Sequence, residues 1–140
     1  YLVAVIDWFS RYILSWRISI SLEADFCIEA LEEAIEKHGY PEIFNTDQGS
    51  QFTSKNFISI LTDRKIKVSM DGKGRALDNV FIERFWRSAK YEEVFINPAD
   101  NLIELRSNIK RYIEFYNNIR PHQSLDYVTP ATIFNAGNMK

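Results

Sequence analysis

The chain has 140 residues, of which 46% are hydrophobic and 14% aromatic, and its net charge is −2. This length and composition predict one globular domain over residues 1–140 and exclude a disordered chain. The single cysteine, Cys27, excludes an internal disulfide, and the sequence shows neither an apolar run of ~18 residues nor a signal peptide. We therefore expect a cytoplasmic protein without a membrane partner.

The first half of the chain predicts a β-hairpin, a helix and a third strand. Residues 1–20 read as the hairpin, because apolar and polar positions alternate from 12 to 20, as in a strand with one buried face. The segment 22–41 has a helical apolar face, and Gly39 followed by Pro41 favours a helix C-terminus. That face consists of Cys27, Leu31, Ala34 and Ile35. A short strand, "PEIFNT", then leads into Asp47.

The second half predicts three more helices and one more strand. A modest helix is expected over 54–64, an alternating strand over 65–70 and a glycine-containing loop over 71–79. Two helices follow at about 77–95 and 101–118, and "RPHQSLDYVTPATIF" predicts a turn-rich tail. The order ββαβαβαα predicts an α/β fold with mixed strand directions.

An aspartate stands directly after the third predicted strand, in the stretch "FNTDQGSQF". Asp and Gly are the usual residues of turns, so turn chemistry alone accounts for Asp47. A strand end is also a rigid place for a metal-binding carboxylate. Both interpretations stay open for this stretch taken alone.

The predicted helix 77–95 carries a polar stripe beside its apolar face. At about 100° per residue, the stripe residues lie within roughly 80° of one another; they are Asn79, Glu83, Arg87 and Lys90. Glu83 could ligate a metal while Arg87 and Lys90 hold phosphates. The same spacing also suits a solvated i, i+4 ion pair of Glu83 with Arg87, worth about 0.3–0.5 kcal/mol.

Charge is unevenly distributed along the chain. Residues 1–71 contain 7 Lys and Arg against 11 Asp and Glu, whereas residues 72–140 contain 10 against 8. The short segment from Lys73 to Lys90 contains five basic and two acidic residues. A local basic surface is therefore expected despite the acidic total. Lys73 and Arg75 in the loop are either solvated or bound to a ligand.

Three motifs together resemble one known family. With 35 residues between Asp47 and Glu83, the stretches "NTDQGSQFTS", "DNVFIERFWRSAKYE" and "FYNNIRPHQSLDYVTP" strongly resemble bacterial insertion-sequence transposases that share the retroviral integrase core. The resemblance covers essentially the whole chain. It implies a ribonuclease H-like fold, with a mixed sheet flanked by helices, and a function in DNA transposition and integration.

The resemblance also implies a metal-dependent chemistry. Members of this family use three carboxylates to bind two Mg²⁺ or Mn²⁺ ions for phosphodiester cleavage and strand transfer, and hard cations of this kind prefer several oxygen ligands. Carried over by motif, Asp47 is the second carboxylate and Glu83 the third. The implied partners are double-stranded DNA (transposon ends and target), further copies of the chain and a separate helix-turn-helix subunit.

Residues near these carboxylates are the implied DNA contacts. Lys90 matches the family's DNA-contacting lysine, with Arg87 and Asn79 beside it. The turn at Gln48 is expected to approach DNA closely, because Gly49 permits that approach. Lys73 and Arg75 complete the implied set. The signature "RPHQSLDYVTP" has no assigned chemical role, and His122 either contacts DNA or braces the tail.

The first catalytic carboxylate of the family has no counterpart in the sequence. In relatives it lies on an earlier strand with a Trp-x-x-Asp-x-Thr pattern, whereas Asp7 matches a position at the hairpin turn. We therefore expect a core lacking its first strand, which in the family is central to the sheet. Two interpretations follow: the core of a strand-transfer enzyme, or an inactive remnant that only binds DNA or self-associates.

Overall fold

The computed structural model describes residues 2–20, 24–46, 54–70, 80–94 and 96–138. The described part is mixed α/β. Its elements are β1 (Leu2–Ile6), β2 (Ile13–Ile18), α1 (Ala24–His38), β3 (Ile43–Thr46), α2 (Lys55–Asp63), β4 (Lys67–Met70), α3 (Val80–Ala89), a π-helical segment (Lys90–Val94), α4 (Leu102–Asn118), a 3₁₀ turn (Gln123–Leu125) and α5 (Pro130–Asn138).

The chain divides into two compact units. The first comprises Tyr1–Val5 and Leu14–Val80, and the second comprises Ile6–Ile13 and Phe81–Lys140. In the first unit α1 and α2 contribute most of the buried core, including the predicted α1 face and the α2 side chains of Phe57 and Leu61. Gly39 ends α1 with a φ of +85° and donates its N–H to the Ile35 carbonyl, as its position predicted.

The described strands form two separate two-stranded ladders. β1 pairs with β2, and β3 pairs with β4 in parallel, with Ile43 opposite Lys67 and Thr46 opposite Met70. Parallel neighbours require a crossover, which α2 supplies. No ladder joins the two pairs within the described ranges.

The β2 strand buries the opposite face from the one that hydrophobicity suggests. Ile13 and Ser15 are each 3% exposed, while Leu14, Trp16 and Ile18 of the more apolar face are only half-buried. The Ser15 hydroxyl is satisfied there, because it donates to the Ala30 carbonyl of α1 at 2.6 Å. Alternation thus predicted the strand correctly, but it did not predict that both faces are covered.

In the second unit α4 packs against α5 and against the hairpin turn. The Asn117 side chain pairs with both backbone groups of Ile13: its Oδ1 accepts the N–H at 2.8 Å and its Nδ2 donates to the carbonyl at 3.1 Å. Tyr12 stacks on Phe134 of α5, with ring centroids 4.5 Å apart.

The turn-rich tail predicted from the sequence is only partly right, because residues 130–138 form a helix. Thr129 caps it through an Oγ1 that accepts the Thr132 N–H, and Pro130 occupies its first turn.

Candidate nucleic-acid interface

Helix α3 separates an apolar side from a basic one, as the sequence predicted. Phe85 and Ala89 are buried, at 1% and 2% exposure. The Phe85 ring packs edge-on against Tyr116 of α4, with centroids 5.0 Å apart. In contrast, the side chains of Arg84, Arg87 and Lys90 are exposed. α3 and the first residue of the π-helical segment therefore present three cations to the surrounding solvent.

Several predicted site residues lie outside the described part of the chain. These are Asp47, Gln48, Lys73, Arg75 and Asn79. The last described residue before Asp47 is Thr46, which belongs to β3. Glu83 belongs to the second turn of α3, but its side chain is not described. Among the described side chains, no group of three or more His, Cys, Asp or Glu residues is arranged to hold a metal ion.

Asp7 has a structural role in the hairpin turn. Its Oδ2 accepts the Ser10 N–H at 2.9 Å and the Ser10 hydroxyl at 2.5 Å. Its backbone also closes the turn, because the Asp7 N–H donates to the Tyr12 carbonyl and the Arg11 N–H donates to the Asp7 carbonyl. These bonds agree with the turn position that the sequence comparison assigned to Asp7.

A pocket in the second unit gathers much of its positive charge. The pocket has a volume of about 210 Å³ and is lined by Arg11, Arg84, Arg87, Ser88, Tyr116, Arg120 and His122. We call it the arginine pocket. Exposed arginines of α3 stand at its rim, whereas the buried residues Tyr116 and His122 lie deeper. Sequence analysis identified only Arg87 of this set as a binding residue.

Arg120 is held in the pocket wall by a carboxylate. Its Nε donates to Oε1 of Glu92 at 2.9 Å and its Nη2 donates to Oε2 at 2.7 Å, a bidentate pair. The Tyr112 hydroxyl donates to the same carboxylate at 3.3 Å. These hydrogen bonds lower the pKa of Glu92 and raise the pKa of Arg120. The pair ties the π-helical segment to the end of α4.

The signature around His122 folds into a tight loop. The His122 N–H donates to the Val128 carbonyl at 3.2 Å, and the His122 carbonyl accepts the N–H groups of Leu125 and Tyr127. Asp126 and Tyr127 both adopt left-handed φ values, of 54° and 64°. The loop therefore reverses the chain between α4 and α5 and fixes the His122 ring.

The His122 ring is buried with one nitrogen unsatisfied. The residue is 8% exposed, and its ring meets the Tyr116 ring edge-on, with centroids 4.5 Å apart. The ring hydrogen-bonds to the backbone of Tyr116, yet Nε2 has no hydrogen-bond partner among the described residues. Burial lowers the pKa of His122, and the nearby Arg120 charge lowers it further.

The cations of the pocket are only partly neutralised. Glu92 balances Arg120, and Asp7 attracts Arg11. Among the described side chains, which do not include that of Glu83, neither Arg84 nor Arg87 has an ion-pair partner. Burial lowers the pKa of Arg11, and repulsion from Arg84 contributes in the same direction. The pocket therefore has an excess of positive charge that an anion would balance.

Comparison with known proteins gives the family. Two integrase core domain models match the chain, one over residues 1–76 and the other over residues 64–130. The chain belongs to the integrase core domain family. A transposase for insertion sequence element IS904 from Lactococcus lactis subsp. lactis (strain IL1403) is 36% identical over 133 residues, which are 93% of this chain and 53% of that protein. A transposase for IS150 from Escherichia coli (strain K12) is 33% identical, over 93% of this chain and 47% of that protein.

A solved structure supports the same fold. The HTLV-2 integrase catalytic core domain, determined in complex with magnesium in a trimeric form, has a TM-score of 0.69 and 23% identity to this chain. The match covers 92% of this chain and 80% of that one. The ribonuclease H-like integrase-core fold predicted from the motifs is thereby confirmed. The integrase core domain described here spans about half the length of the curated relatives it matches.

The described helices do not include a candidate membrane span. None of them is both long and apolar enough to cross a bilayer. The longest, α4, has 17 residues and carries charged side chains along its length.

Proposed function

We propose that the chain is the catalytic core of a transposase that cuts DNA and joins its strands. The observation that carries the proposal is the pair of integrase core matches over residues 1–76 and 64–130. Asp47 lies within the first match and Glu83 within the second. Both curated relatives described above are named transposases of insertion sequence elements.

The proposed metal ligands are Asp47 and Glu83. Carboxylate oxygens are the donors that Mg²⁺ and Mn²⁺ prefer, so the chemistry of the pair suits either ion. An integrase core of the same fold was determined in complex with magnesium. When bound, the metal would polarise the phosphodiester and activate the attacking hydroxyl. This assignment rests on the motifs, since neither carboxylate is described in the structure.

The basic residues of α3 support DNA as the substrate. Exposed Arg84, Arg87 and Lys90 follow Glu83 within two turns of the same helix. Phosphate contacts of this kind position nucleic acid without reading its sequence. The proposed DNA contacts are Lys90, Arg87, Asn79, Gln48, Lys73 and Arg75.

We also propose that the active protein is a homo-oligomer located in the cytoplasm. The HTLV-2 integrase catalytic core domain was determined in a trimeric form and in a dimeric form. A separate helix-turn-helix subunit that finds the transposon ends belongs to the same proposal.

A strand-transfer assay tests the proposed function. The protein would carry this chain behind an intact Trp-x-x-Asp-x-Thr strand, and labelled transposon-end DNA would be incubated with Mg²⁺, with Mn²⁺ or with EDTA. We expect joined products only with metal, and a loss of at least about 100-fold in Asp47→Asn and Glu83→Gln. Glu114→Gln, which changes an exposed carboxylate of α4, should keep full activity.

The same assay decides between enzyme and remnant. Weak, salt-dependent DNA binding without any joined or nicked product would support a remnant that only binds DNA. Full activity in Glu83→Gln would refute the assignment of the third carboxylate.

A further inference from the structure

The arginine pocket combines two independent features. The first is the collection of four arginines around one cavity, of which Arg84 and Arg87 have no ion-pair partner among the side chains that the structure describes. The second is the buried His122 ring, whose Nε2 has no hydrogen-bond partner among the described residues. A buried polar atom without a partner is rare in folded proteins and calls for an explanation.

A phosphate group would answer both features: its charge would balance the arginines and favour the protonated His122 ring, whose Nε2–H would then donate to a phosphate oxygen. Guanidinium groups match phosphate oxygens in charge and geometry, and they bind them through paired hydrogen bonds. The cavity of about 210 Å³ far exceeds the ~10–15 Å³ that one water needs, so a phosphate can enter. Its negative charge would balance the repulsion between Arg11 and Arg84. Ser88, on the same wall of α3, adds a neutral hydroxyl donor.

We propose that the arginine pocket, built by α3 and the signature loop, binds a backbone phosphate of DNA. The proposal rests on the proposed function in taking the phosphate to be that of DNA. It assigns a chemical role to Arg84, Arg120 and His122. Arg120 is a positioning residue here, since Glu92 holds its guanidinium in the pocket wall. The loop that follows α4 therefore both closes the tail and completes a ligand site.

The choice of DNA follows from the position of Arg84 and Arg87. Both are exposed on the helix that also carries Glu83 and Lys90, so a strand held along α3 would pass the pocket mouth. Free inorganic phosphate has the same chemistry and would enter the same pocket. The two sources are therefore separated by experiment.

The first arm measures DNA affinity against salt. Binding of a fluorescent duplex would be followed by anisotropy between about 50 and 200 mM salt for the parent, Arg84→Gln and Arg106→Gln. Arg84 and Arg106 are both exposed arginines of the second unit, but Arg106 does not line the pocket. We expect Arg84→Gln to weaken binding about 10-fold and to reduce the salt slope by about 1, as for one lost phosphate contact. Arg106→Gln should match the parent.

The second arm observes the pocket directly by NMR. The chain has two histidines, His38 on α1 and His122 in the pocket. Addition of DNA, or of inorganic phosphate at higher concentration, should shift the Cε1–H signal of His122 and leave that of His38 in place. Arg84→Gln should reduce the His122 shift, whereas a purely structural histidine would show no response.

The outcomes separate this inference from the proposed function. Equal DNA affinity in Arg84→Gln and Arg106→Gln, or an unmoved His122 signal, overturns the pocket even if strand transfer proceeds. A His122 shift with phosphate but unchanged DNA affinity in Arg84→Gln overturns DNA as the source. If Arg84→Gln weakens DNA binding while no strand transfer occurs, the pocket stands and the enzymatic proposal fails.

Discussion

At the scale of single residues, the second unit depends on a few polar contacts between residues that are far apart in sequence. Glu92 and Arg120 are 28 positions apart, and their bidentate pair is about one-third exposed on each side. A pair that solvent reaches stabilises a fold only modestly. The additional bond from Tyr112 raises its contribution, because that hydroxyl belongs to a buried residue.

Removing the Glu92 charge should therefore have a measurable but limited effect. We expect Glu92→Gln to lower the free energy of unfolding by about 1 kcal/mol, since one charge-assisted pair is lost and Tyr112 keeps an acceptor. This corresponds to about 4 °C in Tm for a domain of this size. Thermal unfolding would measure it, with the adjacent Glu93→Gln as the control. An equal loss in both variants would show that the Arg120 pair contributes nothing.

The pKa directions of His122 and Glu92 predict how stability depends on pH. His122 has a lowered pKa in the folded protein, so below its unfolded value of about 6.5 the unfolded chain takes up the proton more readily. The contribution of the neutral His122 ring to the free energy of unfolding is therefore fully present above about pH 6.5 and is lost as the pH falls below that value. The groups that act on the ring are Arg120, Glu92, Arg11 and Tyr116.

Glu92 accounts for a second loss of stability at lower pH. Its pKa is also lowered in the folded protein, so its contribution is present above about pH 4.5 and is lost as the pH falls through the folded value. Urea unfolding at pH 7.5, 5.5 and 4 would resolve the two stages. His122→Gln should remove the first stage and His38→Gln should retain it. A first stage that survives in His122→Gln would contradict the assignment.

At the scale of secondary structure elements, one side chain substitutes for a strand at the end of the hairpin. Asn117 of α4 is 5% exposed and hydrogen-bonds both backbone groups of Ile13. An edge residue normally needs a neighbouring strand for these bonds. α4 therefore fixes the position of the hairpin turn, which carries Arg11 into the pocket.

Truncating Asn117 should be among the more damaging single changes. We expect Asn117→Ala to cost about 2–4 kcal/mol, because a buried N–H and a buried carbonyl lose their partners together. The neighbouring Asn118 is exposed and bonds only the Glu114 carbonyl, so Asn118→Ala should cost less than about 0.5 kcal/mol. Chemical denaturation compares the two. A small loss in Asn117→Ala would mean that water satisfies Ile13.

The same elements show what local sequence pattern can and cannot predict. The period of α1 predicted its buried face correctly, because Cys27, Leu31 and Ala34 sit on one side of a regular helix. The buried face of β2 was not predicted, since Ser15 is buried only through its bond to Ala30. Thr129 and Pro130 are typical of a helix start. However, the turn-forming residues before them favoured a turn-rich tail, so α5 was not predicted.

At the scale of the whole molecule, the motifs predicted the family and the fold, whereas the arginine pocket could be identified only in the folded structure. Glu83 and Arg87 share α3 and Lys90 directly follows it, so their relation could be predicted from helical geometry. Arg11, Arg84 and His122 are separated by 73 and 38 positions (84 minus 11, and 122 minus 84), and no periodic pattern links them. Only the folded chain places them around one cavity. The signature "RPHQSL" could be recognised in the sequence, but its residues did not indicate a chemical role.

The proposed function requires that Asp47 and Glu83 bind a divalent metal together. Calorimetric titration of Mn²⁺ into the chain tests this directly, with Asp47→Asn and Glu83→Gln compared against Asp63→Asn, an exposed carboxylate at the end of α2. We predict binding by the parent and by Asp63→Asn, and its loss in both Asp47→Asn and Glu83→Gln. Identical isotherms in all four proteins, or no binding by the parent, would contradict the claim.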